Sequence, residues 1–108
     1  MPSVPVLKGP RALALHLRKL LHECGVHGPW IVRKVSSVEK CGGEWCIDVH
    51  LTNTDNGRTK WTIVAVRPPE EIRIATGTDE ETRQIVHGMI CDCLAASGMR
   101  DRVFCGDR

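Results

Sequence analysis

Apolar and polar residues alternate most regularly between residues 44 and 67. A first run has apolar side chains at every second position and more polar ones between them, the pattern of a strand buried on one side. Its apolar residues are Trp45, Ile47, Val49 and Leu51. A second apolar run follows the turn-forming residues 55–57, so this part of the chain predicts a β-hairpin.

The length of the turn decides which face of the second strand is buried. A two-residue turn would put the apolar sets of the two strands on opposite faces, whereas a three-residue loop, 55–57, pairs Leu51 with Trp61 and Val49 with Ile63. We favour the three-residue loop, with its glycine in the left-handed conformation. The residues assigned to the opposite face are Cys46, Asp48, His50, Thr52, Arg58, Lys60, Thr62, Val64 and Val66.

Two segments have the apolar periodicity of helices, one on each side of the strands. The first is predicted from Pro10 to Cys24, and the second begins after an N-cap at Thr78, with Glu81 at the capping-box position, and ends at Gly98. Their apolar stripes are Leu13, Leu17, Leu20, Leu21 and Cys24 in the first helix and Ile85, Val86, Met89, Ile90, Cys93 and Ala96 in the second.

Residues 30–35 predict a further strand, and residues 70–75 a short fourth strand or an edge extension. The order is therefore helix, three or four antiparallel strands, helix. With both helices packed on the face that carries Trp45 and Trp61, we expect an α+β, two-layer sandwich whose other sheet face is free.

The composition is typical of a globular protein. A chain of 108 residues with 42% hydrophobic and 26% charged side chains suits one globular domain, with residues 1–9 as a leader and 99–108 as a loosely ordered tail. No segment approaches the roughly 20 apolar residues of a membrane span, and basic residues interrupt every apolar run near the start. We expect a cytoplasmic protein that does not engage a membrane, with its six cysteines as free thiols.

Metal and cofactor chemistry has little support in the sequence. Cys41 and Cys46 are spaced more widely than the usual zinc knuckle, and Cys91 and Cys93 point about 200° apart on a helix. We expect no metal and no cofactor.

Catalysis has equally little support. Asp48 and His50 share one strand face, with Thr62 on the next strand, but a cross-strand polar ladder accounts for them without a reaction. The sequence thus predicts a protein with no catalytic residue, which is not an enzyme.

The predicted order of elements resembles that of the double-stranded RNA-binding domain over about residues 10–98. In that family the second helix opens with lysines that grip phosphates, whereas residues 78–81 here are Thr, Asp, Glu and Glu, which would repel a phosphate backbone. The family's loop that enters the minor groove corresponds to residues 37–43, where only Lys40 suits that role. The resemblance therefore implies shared architecture, and no functional residue is carried over.

Basic residues surround a leucine on the outer side of the first predicted helix. Arg11, Leu15, Arg18 and His22 fall within about 60° of one another, with Lys19 beside them, and we call these five residues the basic ridge. An apolar residue at the centre of a ridge suits a protein contact better than a phosphate contact. A solvated helix face is the alternative explanation.

The second predicted helix has a strip of mostly small residues opposite its apolar side. The strip consists of Gln84, Gly88, Cys91 and Ala95, and we call it the small-residue strip. Glycine within a helix costs about 1 kcal/mol relative to alanine, so close approach by another helix would explain Gly88. That helix would belong to a partner or to a second copy in a homodimer, and a tolerated surface glycine is the alternative.

We expect a small non-enzymatic binding protein that acts through a protein–protein surface, as an inhibitor, adaptor or accessory subunit. The basic ridge is its predicted partner-binding site, and the small-residue strip is a second interface. The alternative is a nucleic-acid-binding module, because residues 1–60 carry nine basic and five acidic side chains. The candidate residues for that alternative are Arg18, Lys19, Arg33, Lys34, Arg58 and Lys60.

Overall fold

The computed structural model describes residues 9–98 and the backbone of residues 104–105. Most of the predicted leader and tail, 1–9 and 99–108, lies outside these residues. The elements in chain order are α1 (Gly9–Cys24), β1 (Val26–His27), β2 (Trp30–Val35), β3 (Glu39–Cys41), β4 (Glu44–Asn53), β5 (Thr59–Arg67), β6 (Glu71–Ile74), α2 (Glu80–Ala96) and β7 (Phe104–Cys105).

The sheet differs from the predicted one in its number of strands and in its shape. Six antiparallel strands, and not three or four, lie between the two helices in the chain. The sheet curls into a half-barrel, so the predicted two-layer sandwich is wrong, although the class remains α+β. Strands run in the order β1-β2-β4-β5-β6-β7, β3 pairs with β4, and β7 is parallel to β6. β1 has two residues and β3 has three, too few to show an alternating pattern in the sequence.

The predicted register of the β4–β5 hairpin is wrong by one residue. Leu51 faces Lys60 and Val49 faces Thr62, because the connecting loop has four residues, 54–57, instead of three. Side chains alternate between faces along a strand, so a shift of one residue turns every side chain of β5 to the other face.

The turn and the core both favour this register. The side-chain oxygen of Asn53 accepts hydrogen bonds from two backbone amides of the loop at 2.8 and 3.3 Å, which closes the turn directly after Asn53. Val64 and Val66, which the predicted register places on the free face, are fully buried. The predicted core residues Trp61 and Ile63 lie on the opposite face.

The helices match their predicted bounds closely, with one correction at the start of α2. The N-cap is Asp79, whose carboxylate accepts hydrogen bonds from the backbone N–H of Thr82 at 3.0 Å and from its hydroxyl at 2.7 Å. The predicted cap, Thr78, is not used, because its hydroxyl lies 2.7 Å from that of Thr62 on β5.

One hydrophobic core joins both helices to the same face of the sheet. Most of the predicted helix stripes are buried, but Cys24 and Ala96 are exposed, and Leu94 is buried where no burial was predicted. No helix in the described part of the chain has the length and apolar character needed to cross a membrane.

Candidate functional site

The sheet face opposite the helices, here called the outer face, carries two adjoining rows of side chains. Residues paired directly across antiparallel strands project to the same face, so the register assigns each row. The first row is Val26, Ile31, Thr52 and Thr59. The second row, two residues further along, is Lys34, His50 and Trp61.

A bulge in β2 brings basic side chains into the second row. The pairing shifts between Val32 and Lys34, so that Val32 faces the helices and Lys34 faces outward opposite His50. Arg33 is the extra residue, and its side chain is exposed. Two consecutive basic residues, Arg33 and Lys34, therefore lie on the β2 side of the outer face.

Large apolar side chains are concentrated on this face. Among the described residues four are exposed, and three of them, Val26, Ile31 and Trp61, belong to the two rows. Trp61 has 54% of its surface exposed, and its ring centre lies 6.2 Å from that of His50 at an angle of 41°. We call the set Val26, Ile31, Arg33, Lys34, His50 and Trp61 the Trp61 patch.

The Trp61 patch borders a depression of about 450 Å³. Its lining residues are Arg33, Lys34, His50, Leu51, Thr59, Lys60 and Trp61. A second depression on the other side of Trp61 continues towards the loop before α2, so the indole stands between two concave regions.

Two of the basic residues predicted for nucleic-acid binding, Arg58 and Lys60, form ion pairs with acidic residues at the start of α2. The Lys60 Nζ lies 3.0 Å from a Glu81 oxygen and 3.5 Å from an Asp79 oxygen, and Arg58 is 3.7 Å from Glu81. Two hydrogen bonds from Thr82, with Lys60 nearby, lower the pKa of Asp79 to about 2. The acidic side chains at the start of α2 therefore pair with Lys60 and Arg58.

By contrast, the side chains of Arg33 and Lys34 make no ion pair or hydrogen bond with another residue in the described part of the chain. Both are exposed. Of the six cations predicted for nucleic-acid binding, these two are the ones that the fold places on the outer face beside Trp61.

The basic ridge is partly used inside the molecule. The Arg18 Nε donates a hydrogen bond of 2.6 Å to the carbonyl oxygen of Ser36, and the Arg11 guanidinium lies 5.8 Å from the centre of the Trp45 ring. Leu15 is 42% exposed. The remaining ridge residues, Lys19 and His22, are exposed on α1.

The small-residue strip has an intramolecular neighbour. A Cβ at Gly88 would lie 2.6 Å from the ring of His27, which sits on β1, so the close approach that the glycine permits is made by this histidine. Gln84 donates to Glu80 at 3.1 Å, and the Cys91 sulfur lies 3.7 Å from a ring nitrogen of His87. Ala95 is exposed.

Groups with metal-binding chemistry do not assemble in the described residues: no cluster of three or more His, Cys, Asp or Glu side chains is arranged to hold an ion. Asp48 and His50 do share the outer face, but Asp48 pairs with Ile63, whereas His50 pairs with Trp61. Thr62, the third member of that predicted group, is buried on the helix side.

Trp61 lies on the surface, whereas the predicted register places it in the core. The signal that would have found it is Asn53, whose side chain closes the turn and sets the register.

No known protein family matches the chain, and neither the curated proteins nor the solved structures contain a match.

Proposed function

We propose that this chain is a non-enzymatic binding protein that captures an acidic, apolar-containing segment of a partner protein on the Trp61 patch. The observation that carries the proposal is the concentration of three exposed apolar side chains on one open sheet face, at 36 to 54% exposure. Tryptophan and arginine dominate the binding energy of protein interfaces, and both occur here.

The charge of the patch indicates the chemistry of the partner. Lys34 occupies the same row as Trp61, one strand beyond His50, and Arg33 precedes it. With a strand spacing of about 4.8 Å, a partner residue seated on Trp61 has these cations within about 10 Å. Carboxylates beside an apolar anchor residue would meet them, whereas basic residues would be repelled.

The spacing of the apolar side chains indicates an extended segment. Ile31 lies two strands and two residues from Trp61, a separation of about 12 Å. Roughly four residues of extended chain cover that distance. A partner segment with an apolar residue at each end and acidic residues between them fits both anchors and the cations.

The test is a selection of random peptides on the intact protein. Peptides from a phage-displayed library are selected on the wild-type chain, sequenced, and titrated by fluorescence anisotropy against variants. We expect enrichment of Asp and Glu next to apolar residues, and a loss of affinity of about 30-fold in Trp61→Ala, the value of a central interface residue. Lys34→Glu should also weaken binding.

Leu15→Glu is the matched control, because it changes the exposed leucine of the basic ridge and leaves the Trp61 patch intact. Circular dichroism checks that each variant is folded. Peptides that bind Trp61→Ala as tightly as the wild type, or that depend on Leu15, would assign recognition to another surface and refute the proposal.

Single-stranded nucleic acid is a second candidate. It is favoured by the exposed indole beside Arg33 and Lys34, which make no ion pair with another described residue. Bases stack on aromatic side chains in proteins that bind single strands, while cations meet the phosphates. Titration with oligo(dT) and oligo(U) at about 50 and 200 mM salt tests it, since each phosphate contact changes log K by about 0.7 per tenfold change in salt. Binding that requires Trp61 and weakens with salt would replace the peptide proposal.

A further inference from the structure

We propose that Cys24 and Cys93 form a disulfide site that joins the ends of the two helices when the protein meets a low-molecular-weight disulfide. Cys24 is the last residue of α1, and Cys93 lies in the last turn of α2. Their sulfur atoms are 3.9 Å apart, across 69 positions of sequence. The site is independent of the Trp61 patch and of any partner.

The local geometry brings both thiols to one place. The Cys24 sulfur donates to the carbonyl oxygen of Leu20 at 3.1 Å, and the Cys93 sulfur approaches the same oxygen at 3.8 Å. A disulfide has an S–S length of about 2.0 Å, so from 3.9 Å the sulfurs must close by about 1.9 Å. Rotation about the Cα–Cβ bond of a cysteine moves its sulfur over distances of this size.

The two thiols differ in access and reactivity. Cys24 is exposed, whereas Cys93 is 2% exposed. Burial, followed by the neighbouring Cys24, raises the pKa of the Cys93 thiol to about 12. Cys24 is therefore the thiol that an outside reagent reaches first, and Cys93 is held next to it as the second thiol.

Oxidised glutathione is the oxidant and accepts the two electrons that the two cysteine thiols lose. The Cys24 thiolate attacks one glutathione sulfur, which forms a mixed disulfide and releases a glutathione thiolate that takes up a proton. Cys93 then loses its proton to solvent and attacks the Cys24 sulfur. The protein disulfide forms, the mixed disulfide breaks, and a second glutathione thiol leaves.

The bond would close a loop that contains all six antiparallel strands. Closing a loop of this length restricts the unfolded chain far more than the folded one, in which the sulfurs are already adjacent. For a domain of this size we expect the melting temperature to rise by roughly 10 °C or more on oxidation. The thiol state of Cys24 and Cys93 thereby sets the stability of the fold.

The experiment exposes the reduced full-length chain to glutathione buffers of increasing oxidised fraction. Free thiols are then alkylated in denaturant, and non-reducing peptide mapping by mass spectrometry identifies cross-links. We expect a peptide pair containing Cys24 and Cys93, together with the rise in melting temperature, both reversed by reductant. Because Cys93 must lose its proton, the cross-link should form faster at higher pH.

Two variants control the test. Cys24→Ser changes an exposed residue, so it folds and should abolish both the cross-link and the temperature shift. Cys91 lies two residues from Cys93 on the same helix, so Cys91→Ser should retain both the cross-link and the temperature shift. A stable glutathione adduct on Cys24 with Cys93 still free, or a cross-link between other cysteines in its place, would overturn the proposal.

Discussion

Replacing Val64 with threonine tests the register on which the outer face depends. Val64 is fully buried, and its cross-strand neighbours Ile47 and Ile74 are 0% and 3% exposed. Threonine has the shape of valine but places a hydroxyl among these apolar side chains. Had the sequence-predicted register been right, the hydroxyl would face solvent and cost almost nothing.

The expected loss follows from burying an unpaired hydroxyl. Mutational data place that penalty at about 1–3 kcal/mol, and the conserved volume leaves no cavity to add to it. For a domain of this size, a loss of about 2 kcal/mol lowers the melting temperature by roughly 8–16 °C. Urea unfolding followed by circular dichroism should show a lower midpoint. The slope of the free energy of unfolding against urea concentration should be unchanged.

Val26→Thr is the matched control, because it makes the same chemical change at a valine that is 51% exposed on the outer face. Its free energy of unfolding should stay within about 0.5 kcal/mol of the wild type. If Val64→Thr is as mild as Val26→Thr, then Val64 does not face the helices. The assignment of Trp61 to the surface would fall with it.

Two further predictions concern the helix ends. Gly25→Ala should lower the free energy of unfolding by about 1–3 kcal/mol, since the new Cβ would lie 2.5 Å from Val32 and 2.6 Å from the carbonyl oxygen of Leu21; an unchanged urea midpoint would show that the chain relaxes there freely. The pKa of Asp79 falls from 3.8 to about 2 on folding, so its cap stabilises the protein above pH 3.8 and is lost as pH falls through about 2. Asp79→Ala should therefore flatten the acid dependence of the urea midpoint over that range, and parallel profiles for variant and wild type would contradict this.

The helices and the existence of the hairpin could be predicted because their signals are local. Leu13, Leu17 and Leu21 repeat at helical spacing and are all fully buried, and Gly98 ends the second helix with a φ of +79°. Each pattern lies within one element, so no knowledge of distant residues is needed to interpret it.

The pattern of apolar residues on β5 did not decide which of its faces is buried. Both alternating sets on this strand contain apolar residues, Trp61 and Ile63 in one and Val64 and Val66 in the other, so periodicity favours neither. The closure of the turn by Asn53 and the packing of β5 against other strands and the helices made the choice.

The candidate sites are formed by residues that lie far apart in the sequence and meet only in the folded protein. The sequence determined an α+β chain with one core, basic residues and several cysteines. It could not show that Trp61 joins Lys34 on one face, that His27 covers Gly88, or that Cys24 meets Cys93. These pairs are separated by 27 to 69 positions, and their proximity is set by how the strands pair and how the helices pack.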